Sequence, residues 1–200
     1  MISEKDEGLR KDPLRMIRGD AMITIRKIEA TQYPNGKKVL YTYETTTFYE
    51  IKSVQTEIGW TFTLYEQPLV QPFVKQLEEE LFDDYKDGSN YYIAEWNGEE
   101  AAVLVIQHMD WNNTLLIHDL YVYESFKRLG IGSKLITFVK ELAKKLGVRA
   151  ITLETQTSNY PAVQFYLKHD FQLVGFNTIS YSNVDIEKGE VRLEMAYVMK

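Results

Sequence analysis

The segment Leu120-Tyr121-Val122-Tyr123-Glu124-Ser125-Phe126-Lys127-Arg128-Leu129-Gly130-Ile131-Gly132-Ser133-Lys134-Leu135 limits what this 200-residue chain can fold into more than any other stretch. An apolar run suited to a strand gives way to a short polar and aromatic stretch, and Gly130-Ile131-Gly132 then opens an amphipathic helix. Leu135, Ile136, Val139, Leu142, Ala143 and Leu146 recur at helical spacing. Lys134, Lys140, Lys144 and Lys145 take the other face, and Gly147 marks the stop. A second strand-like run, residues 149–155, follows at once. Strand, helix and strand in that order imply parallel pairing through a right-handed crossover. The sequence is that of an α/β protein.

The same segment offers a seat for phosphate oxygens. Gly130 and Gly132 leave their backbone N–H groups unshielded, and the unpaired amides of a helix start carry the positive end of the helix dipole. Lys127, Arg128 and Lys134 add charge there. A dinucleotide fingerprint would need Gly or Ala where Leu135 stands, and a Walker loop would need four residues between its glycines followed by Lys-Ser/Thr. Neither is present. A ligand-free strand-to-helix turn is the competing reading of the segment taken alone.

Composition narrows the function classes. The chain is 44% hydrophobic and 26% charged, as an ordinary globular domain is, and no apolar run reaches the ~18 residues of a membrane span. With no cysteine, disulfides, thiolate catalysis and cysteine metal sites are excluded. The three histidines sit among no clustered carboxylates, so no metal is expected. A net charge of −6 argues against nucleic acid and favours a cationic partner. Glu78-Glu79-Glu80 and Asp83-Asp84 are its local expression, as a solvated helix face or as a rim that attracts cations. The expected setting is cytoplasmic, without a membrane partner, as a monomer or homodimer.

Along the chain, residues 1–20 lack apolar periodicity and read as a flexible extension, leaving residues 21–200 as one domain. Residues 22–28 alternate as a strand, Pro34-Asn35-Gly36 is a turn, and residues 41–65 suit extended structure. Pro68 and Pro72 break that run, and residues 73–85 read as a short helix. Residues 91–96 and 101–109 are strands around Asn97-Gly98, and a further strand covers residues 114–123. Residues 160–169 read as a short helix, and residues 171–181 with 191–199 as a closing pair of strands. The sum is a mixed, mostly antiparallel central sheet flanked by helices. Trp60 and Trp111 read as core or turn residues.

At two places the sequence resembles the GNAT superfamily of acetyl-CoA-dependent N-acetyltransferases. Lys127-Arg128-Leu129-Gly130-Ile131-Gly132, after Leu120-Tyr121-Val122, is similar to its Arg/Gln-x-x-Gly-x-Gly/Ala loop, with Lys127 in place of the usual Arg or Gln. Asn159-Tyr160-Pro161-Ala162-Val163-Gln164-Phe165-Tyr166-Leu167-Lys168-His169-Asp170-Phe171 is similar to its Asn-x-x-Ala-x-x-Phe-Tyr-x-x-x-Gly-Phe, with Asp170 where Gly usually stands. Asp tolerates the left-handed conformation better than most residues, so the departure costs little. Residues 60–66, Leu153-Glu154-Thr155-Gln156 and residues 178–183 look like streptothricin acetyltransferases, and that similarity covers roughly residues 45–199.

The resemblance implies a splayed sheet in which Leu120, Tyr121, Val122, Lys127, Arg128, Leu129, Gly130, Ile131, Gly132, Ser133 and Asn159 hold acetyl-CoA. It implies that the Val122 N–H polarises the thioester carbonyl, and that Tyr166 protonates the departing thiolate; Asn159 also suits a helix cap. A phenol of ordinary pKa ~10 is protonated at neutral pH and can donate. His118, with an ordinary pKa of ~6.5, can act as the base directly or through water, or can be structural. Side chains alternate along a strand, so His118 and Asp119 face one cleft together only if a bulge intervenes. Asp119 and Glu154 are the candidates to hold a substrate ammonium. Three functions follow: transfer to the β-lysine amine of streptothricin, transfer to a polyamine or protein amine, and a non-catalytic acetyl-CoA-binding module.

Overall fold

The computed structural model describes residues 22–200; the extension expected over residues 1–20 lies outside them. Nine strands are present among the described residues: β1 (Ile23–Ile28), β2 (Lys38–Thr56), β3 (Gly59–Glu80), β4 (Asn90–Trp96), β5 (Glu99–Met109), β6 (Thr114–Val122), β7 (Ala150–Gln156), β8 (Gln172–Asn177) and β9 (Arg192–Val198). Seven form one sheet in the order β1-β4-β5-β6-β7-β9-β8, while β2 and β3 form a separate ribbon. Within the sheet β6 and β7 pair in parallel and the other neighbours are antiparallel. The mixed, mostly antiparallel sheet expected from the sequence is the one observed.

The crossover between β6 and β7 is α1 (Ile131–Leu146). It buries Ile131, Leu135, Ile136, Val139 and Ala143 against the sheet, each of the larger side chains contributing about 1.5–3 kcal/mol. Gly147 closes the helix as expected, its N–H reaching the Ala143 and Lys144 carbonyls. Beside it runs α2 (Tyr160–Lys168), and a single turn, α3 (Asp185–Lys188), interrupts the connection from β8 to β9. Asp170, just past α2, has φ +65°, as its tolerance of the left-handed region allows.

Parallel pairing joins only Thr114–Ile117 of β6 to Ala150–Leu153 of β7. Beyond those residues β6 continues to Val122 along β5, and β7 to Gln156 along β9, so the two strands part. A bulge accompanies the divergence: Ile106 lies opposite Ile117 and Val105 opposite Asp119, leaving His118 as the extra residue. It changes the phase of the strand. Leu115 and Ile117 belong to the apolar cluster that includes α1, and after the bulge so do Leu120 and Val122. Tyr121 packs with Val103 and Val105 on the opposite face. His118 and Asp119 therefore both point to that opposite face, although they are adjacent in sequence.

The expected helix over residues 73–85 is not formed. Residues 73–80 instead continue β3, which pairs with β2 from Lys38↔Glu80 to Thr56↔Gly59, and only Asp84–Lys86 make a single 3-10 turn. Pro68 and Pro72 do interrupt the pairing, but as an irregularity: Thr47 faces Pro68 while Thr45 faces Phe73. Thr, Tyr and Val in the facing strand supply cross-strand partners that outweigh the weak helical period of residues 73–80. Glu78–Glu80 thus end a strand and line no helix face. The ribbon is tied to the parting strands: Tyr49 N–H donates to Thr157 O (3.0 Å), the Tyr43 hydroxyl meets Ser158 Oγ (2.9 Å), and Lys75 binds Gln156 and Glu190. Trp60 is not a core residue: it is exposed and stacks on Phe62, whose ring meets Phe176.

Candidate active site

The first intrahelical bond of α1 runs from Lys134 N–H to Gly130 O (3.0 Å), which leaves the N–H groups of Ile131, Gly132 and Ser133 without intrahelical partners. Gly130 caps the helix with φ +85°, a conformation that side chains resist, and no side chain takes the freed amides. Gly132 serves closeness instead: a Cβ there would lie 3.1 Å from the Phe165 ring and 3.7 Å from Val122 Cγ2. One glycine shapes the loop and the other lets α2 and β6 approach it. Lys127 is committed to the fold, donating to Thr42 O (2.9 Å) and pairing with Glu124 (2.6 Å). Arg128 borders an opening of about 450 Å³ lined also by Thr45, Thr46, Thr47, Tyr160 and Pro161.

Val122 ends the wedge between β6 and β7. Tyr123 N–H donates to Ala101 O (2.9 Å), which makes Ala102 and Val122 a pair without hydrogen bonds between them. The Val122 N–H therefore points away from β5, into the gap that β7 has vacated. On α2, the Asn159 side chain accepts from Ala162 N–H (3.3 Å) and caps the helix. Tyr166 is buried among Phe165 and Phe171, at 7% exposure. Burial, reinforced by the Asp119 carboxylate, raises its phenol well above the ordinary value, so it stays protonated across the working pH range. Ser133 Oγ contacts His169 Nε2 (3.0 Å), which places His169 on the helix-start side of the molecule.

On the other face the residues around His118 form one polar cluster. Lys86, fully buried, sits 2.6 Å from Asp119 Oδ2, off the alignment of a hydrogen bond. Burial pulls the Lys86 ammonium down, but Asp119, with Tyr85 after it, more than offsets this and holds it above the ordinary lysine value. Tyr41 shares the cluster, its phenol raised by burial and then by Asp119. His118 Nε2 lies 2.8 Å from Gln107 Oε1, and its ring meets the edge of Tyr85. Burial lowers the His118 pKa below 6.5, with Asp119 and Glu154 pulling it up and Lys86 pushing it down. At neutral pH the imidazole is neutral and able to take a proton.

Glu154, on β7, pairs with Arg192 (2.7 Å) and lies 3.5 Å from the Tyr181 hydroxyl. Burial, with Glu154 next, pushes that phenol up to about 12. The structure thus gathers His118, Asp119 and Glu154 near one another and sets Val122 at the wedge, while Tyr166 packs in the core between Phe165 and Phe171. Lys86, Gln107 and Tyr85 belong to the same cluster and carry no signal in the sequence. Among the described residues no group of three metal-ligating side chains is present, and no helix is long and apolar enough to cross a membrane.

Residues 47–171 match the acetyltransferase (GNAT) family. Streptothricin acetyltransferase A of Bacillus subtilis (strain 168) is 32% identical over 133 residues, 62% of this chain and 72% of that protein. A streptothricin acetyltransferase of Streptomyces lavendulae is 27% identical over 162 residues, 77% and 83% of the two chains. Among solved structures, a nourseothricin acetyltransferase matches with a TM-score of 0.70 at 25% identity, over 89% of this chain and 99% of that one. A Bacillus anthracis str. Ames protein assigned as a streptothricin acetyltransferase, solved in complex with acetyl coenzyme A, matches with a TM-score of 0.68 at 23% identity. That match covers 90% of this chain and 98% of the other.

Proposed function

The chain belongs to the acetyltransferase (GNAT) family, and from that premise we propose that it acetylates streptothricin at the β-lysine amine, using acetyl-CoA, and so protects cells from the antibiotic. The observation that carries the acetyl-CoA half is the wedge between β6 and β7, with the Val122 N–H turned into it beside the open amides of α1. The amides of Ile131, Gly132 and Ser133 suit a pyrophosphate, and the wedge suits an extended arm laid along β6. Leu120, Tyr121 and Val122 form its wall, residues 127–133 its phosphate end, and Asn159 caps the helix beside it. Acetyl-CoA supplies the acetyl group as an activated thioester.

The residues of the chain do the rest. The Val122 N–H is placed to donate to the thioester oxygen as charge gathers there. His118, neutral and half-buried, takes the proton that the amine must lose to attack. Tyr166, kept protonated by burial, gives its proton to the sulfur that leaves. With no cysteine in the chain, direct transfer needs no covalent thioester step. Glu154 offers a partly exposed carboxylate at the amine end of the cleft, where a substrate ammonium would compete with Arg192 for its oxygens.

The streptothricin half is supported by similarity to two streptothricin acetyltransferases across most of their length, and a chain of net charge −6 suits a polycationic substrate. Protein, acetyl-CoA and streptothricin are incubated together and the antibiotic is weighed by mass spectrometry. One added acetyl group, located by fragmentation on the β-lysine moiety, is expected. Unmodified antibiotic alongside efficient acetylation of another amine overturns the substrate and leaves the family standing.

A further inference from the structure

The reading above gives His118 the role of base but leaves two ring nitrogens to choose between, and the surroundings of Gln107 make the choice. Gln107 Nε2 lies 2.9 Å from the backbone carbonyl of Asp87, and Gln107 Oε1 lies 2.8 Å from His118 Nε2. A backbone carbonyl can only accept, so the amide must turn its NH₂ toward Asp87. Its oxygen then faces the imidazole and can only accept in turn. The ring must therefore carry its proton on Nε2, which leaves the lone pair on Nδ1.

The geometry points to Gln107 as the positioning residue that fixes the tautomer of His118 and makes Nδ1 the nitrogen that receives the substrate proton. This rests on the reading of His118 as the base. In the step, the amine proton moves to Nδ1 as the nitrogen lone pair attacks. The ring becomes an imidazolium that keeps its Nε2–H on Gln107, and the proton leaves from Nδ1 to water afterwards.

The arrangement is a closed circuit. Asp87 belongs to a tight turn whose position is fixed from below: the preceding residue, Lys86, is anchored in the ion pair with Asp119, the residue next to His118. The turn is further held by Ser89 N–H to Lys86 O (3.0 Å) and by the Tyr91 hydroxyl to the same carbonyl (3.2 Å). Gly88 holds the turn at φ +80°, a conformation that side-chain-bearing residues resist. Beginning and ending on β6, the path runs through His118, Gln107, the turn and Asp119. The charged and titratable groups that face the imidazole are Asp119 on its own strand, Lys86 and Tyr85 on the turn, and Glu154 on β7.

The test uses the whole protein labelled with nitrogen-15. Long-range proton–nitrogen spectra of His118 should show the proton on Nε2 and an unprotonated Nδ1 in the resting enzyme. Gln107→Glu puts a carboxylate opposite Nε2–H, so it should raise the His118 titration midpoint by about one pH unit or more. The acid limb of kcat/KM should move up with it, a change that loss of packing alone would not produce. A proton found on Nδ1, or a midpoint that stays put in Gln107→Glu, overturns the assignment. Because the spectra need no substrate, failure of the tautomer and failure of the streptothricin reading are distinguishable.

Discussion

The helix-start loop and the His118 cluster lie on opposite faces of β6 and are built in opposite ways. The loop is made by contiguous sequence: two glycines, a strand before and a helix after, with main-chain N–H groups as the working atoms. The cluster is assembled from β5, β6, β7 and the turn at residues 84–87, and its working atoms are side chains held by one another. A backbone site tolerates most side-chain changes but few changes of φ. A side-chain network answers to the removal of any one partner. The two halves should therefore fail differently.

The largest effect is expected in the cluster. Lys86→Met leaves Asp119 without its cation in a buried setting, and breaking a buried pair from one side costs about 3–5 kcal/mol. Chemical denaturation should show that loss. Lys86→Met/Asp119→Leu should recover much of it, because no unpaired charge remains. If Lys86→Met alone is as stable as the parent, the cluster is not held by this pair and the contrast with the loop collapses.

Next come the two proton carriers. Tyr166→Phe removes a hydroxyl and little packing, so turnover should fall ~100-fold or more while acetyl-CoA affinity stays near the parent value. A near-parental rate, measured where chemistry limits turnover, would leave Tyr166 as a core aromatic only. His118→Ala tests the pH sign. Burial lowers the folded pKa, so the imidazole becomes protonated, and the parent loses kcat/KM, only as pH falls below 6.5. That acid limb should disappear in His118→Ala. The same shift makes the folded state bind fewer protons than the unfolded chain, so stability contributed by His118 is present above pH ~6.5 and is lost as pH falls through the lower folded value.

These contrasts explain what could be read from the sequence. Gly130, Gly132 and the helix they open were legible because each signal is local, spanning a few residues at fixed spacing. Asp170 was legible for the same reason. The ribbon of β2 and β3 was half legible: Thr- and aromatic-rich residues read as strands, but residues 73–80 gain their strand from pairing with residues 38–45, a non-local partner. Lys86 and Gln107 were not legible at all. Their roles come from meeting Asp119, Asp87 and His118 across the fold, and no spacing in the sequence encodes that meeting.

The loop should give a smaller and cleaner effect. Gly130→Val forces a β-branched residue to φ +85°, and left-handed geometry costs an ordinary side chain about 1–2 kcal/mol. The loop can escape by giving up the conformation that presents its amides, so acetyl-CoA should bind about tenfold or more weakly by calorimetry, the equivalent of ~1.4 kcal/mol. The rise in melting temperature on adding CoA should shrink in step. Unchanged affinity would mean that the amides of α1 are not the seat of the pyrophosphate.

The smallest effect is expected at Glu154, and it sharpens the comparison because this carboxylate belongs to neither half alone. It is partly exposed and already paired with Arg192, so any substrate ammonium must compete with a guanidinium for the same oxygens. Exposed pairs are worth about 0.2–1 kcal/mol, against roughly 1.5–3 kcal/mol for a hydrogen bond to a charged group that is well sheltered. Glu154→Gln should therefore raise KM for the amine only a few-fold and leave kcat alone. The rise should fade at high salt, because a solvent-facing attraction is screened within about 10 Å at 0.1 M. Asp119→Asn is the poorer probe of the same question, since it also strands Lys86 and mixes stability with binding. A salt-independent rise of tenfold or more in Glu154→Gln would mean that the amine displaces Arg192 and is held there directly.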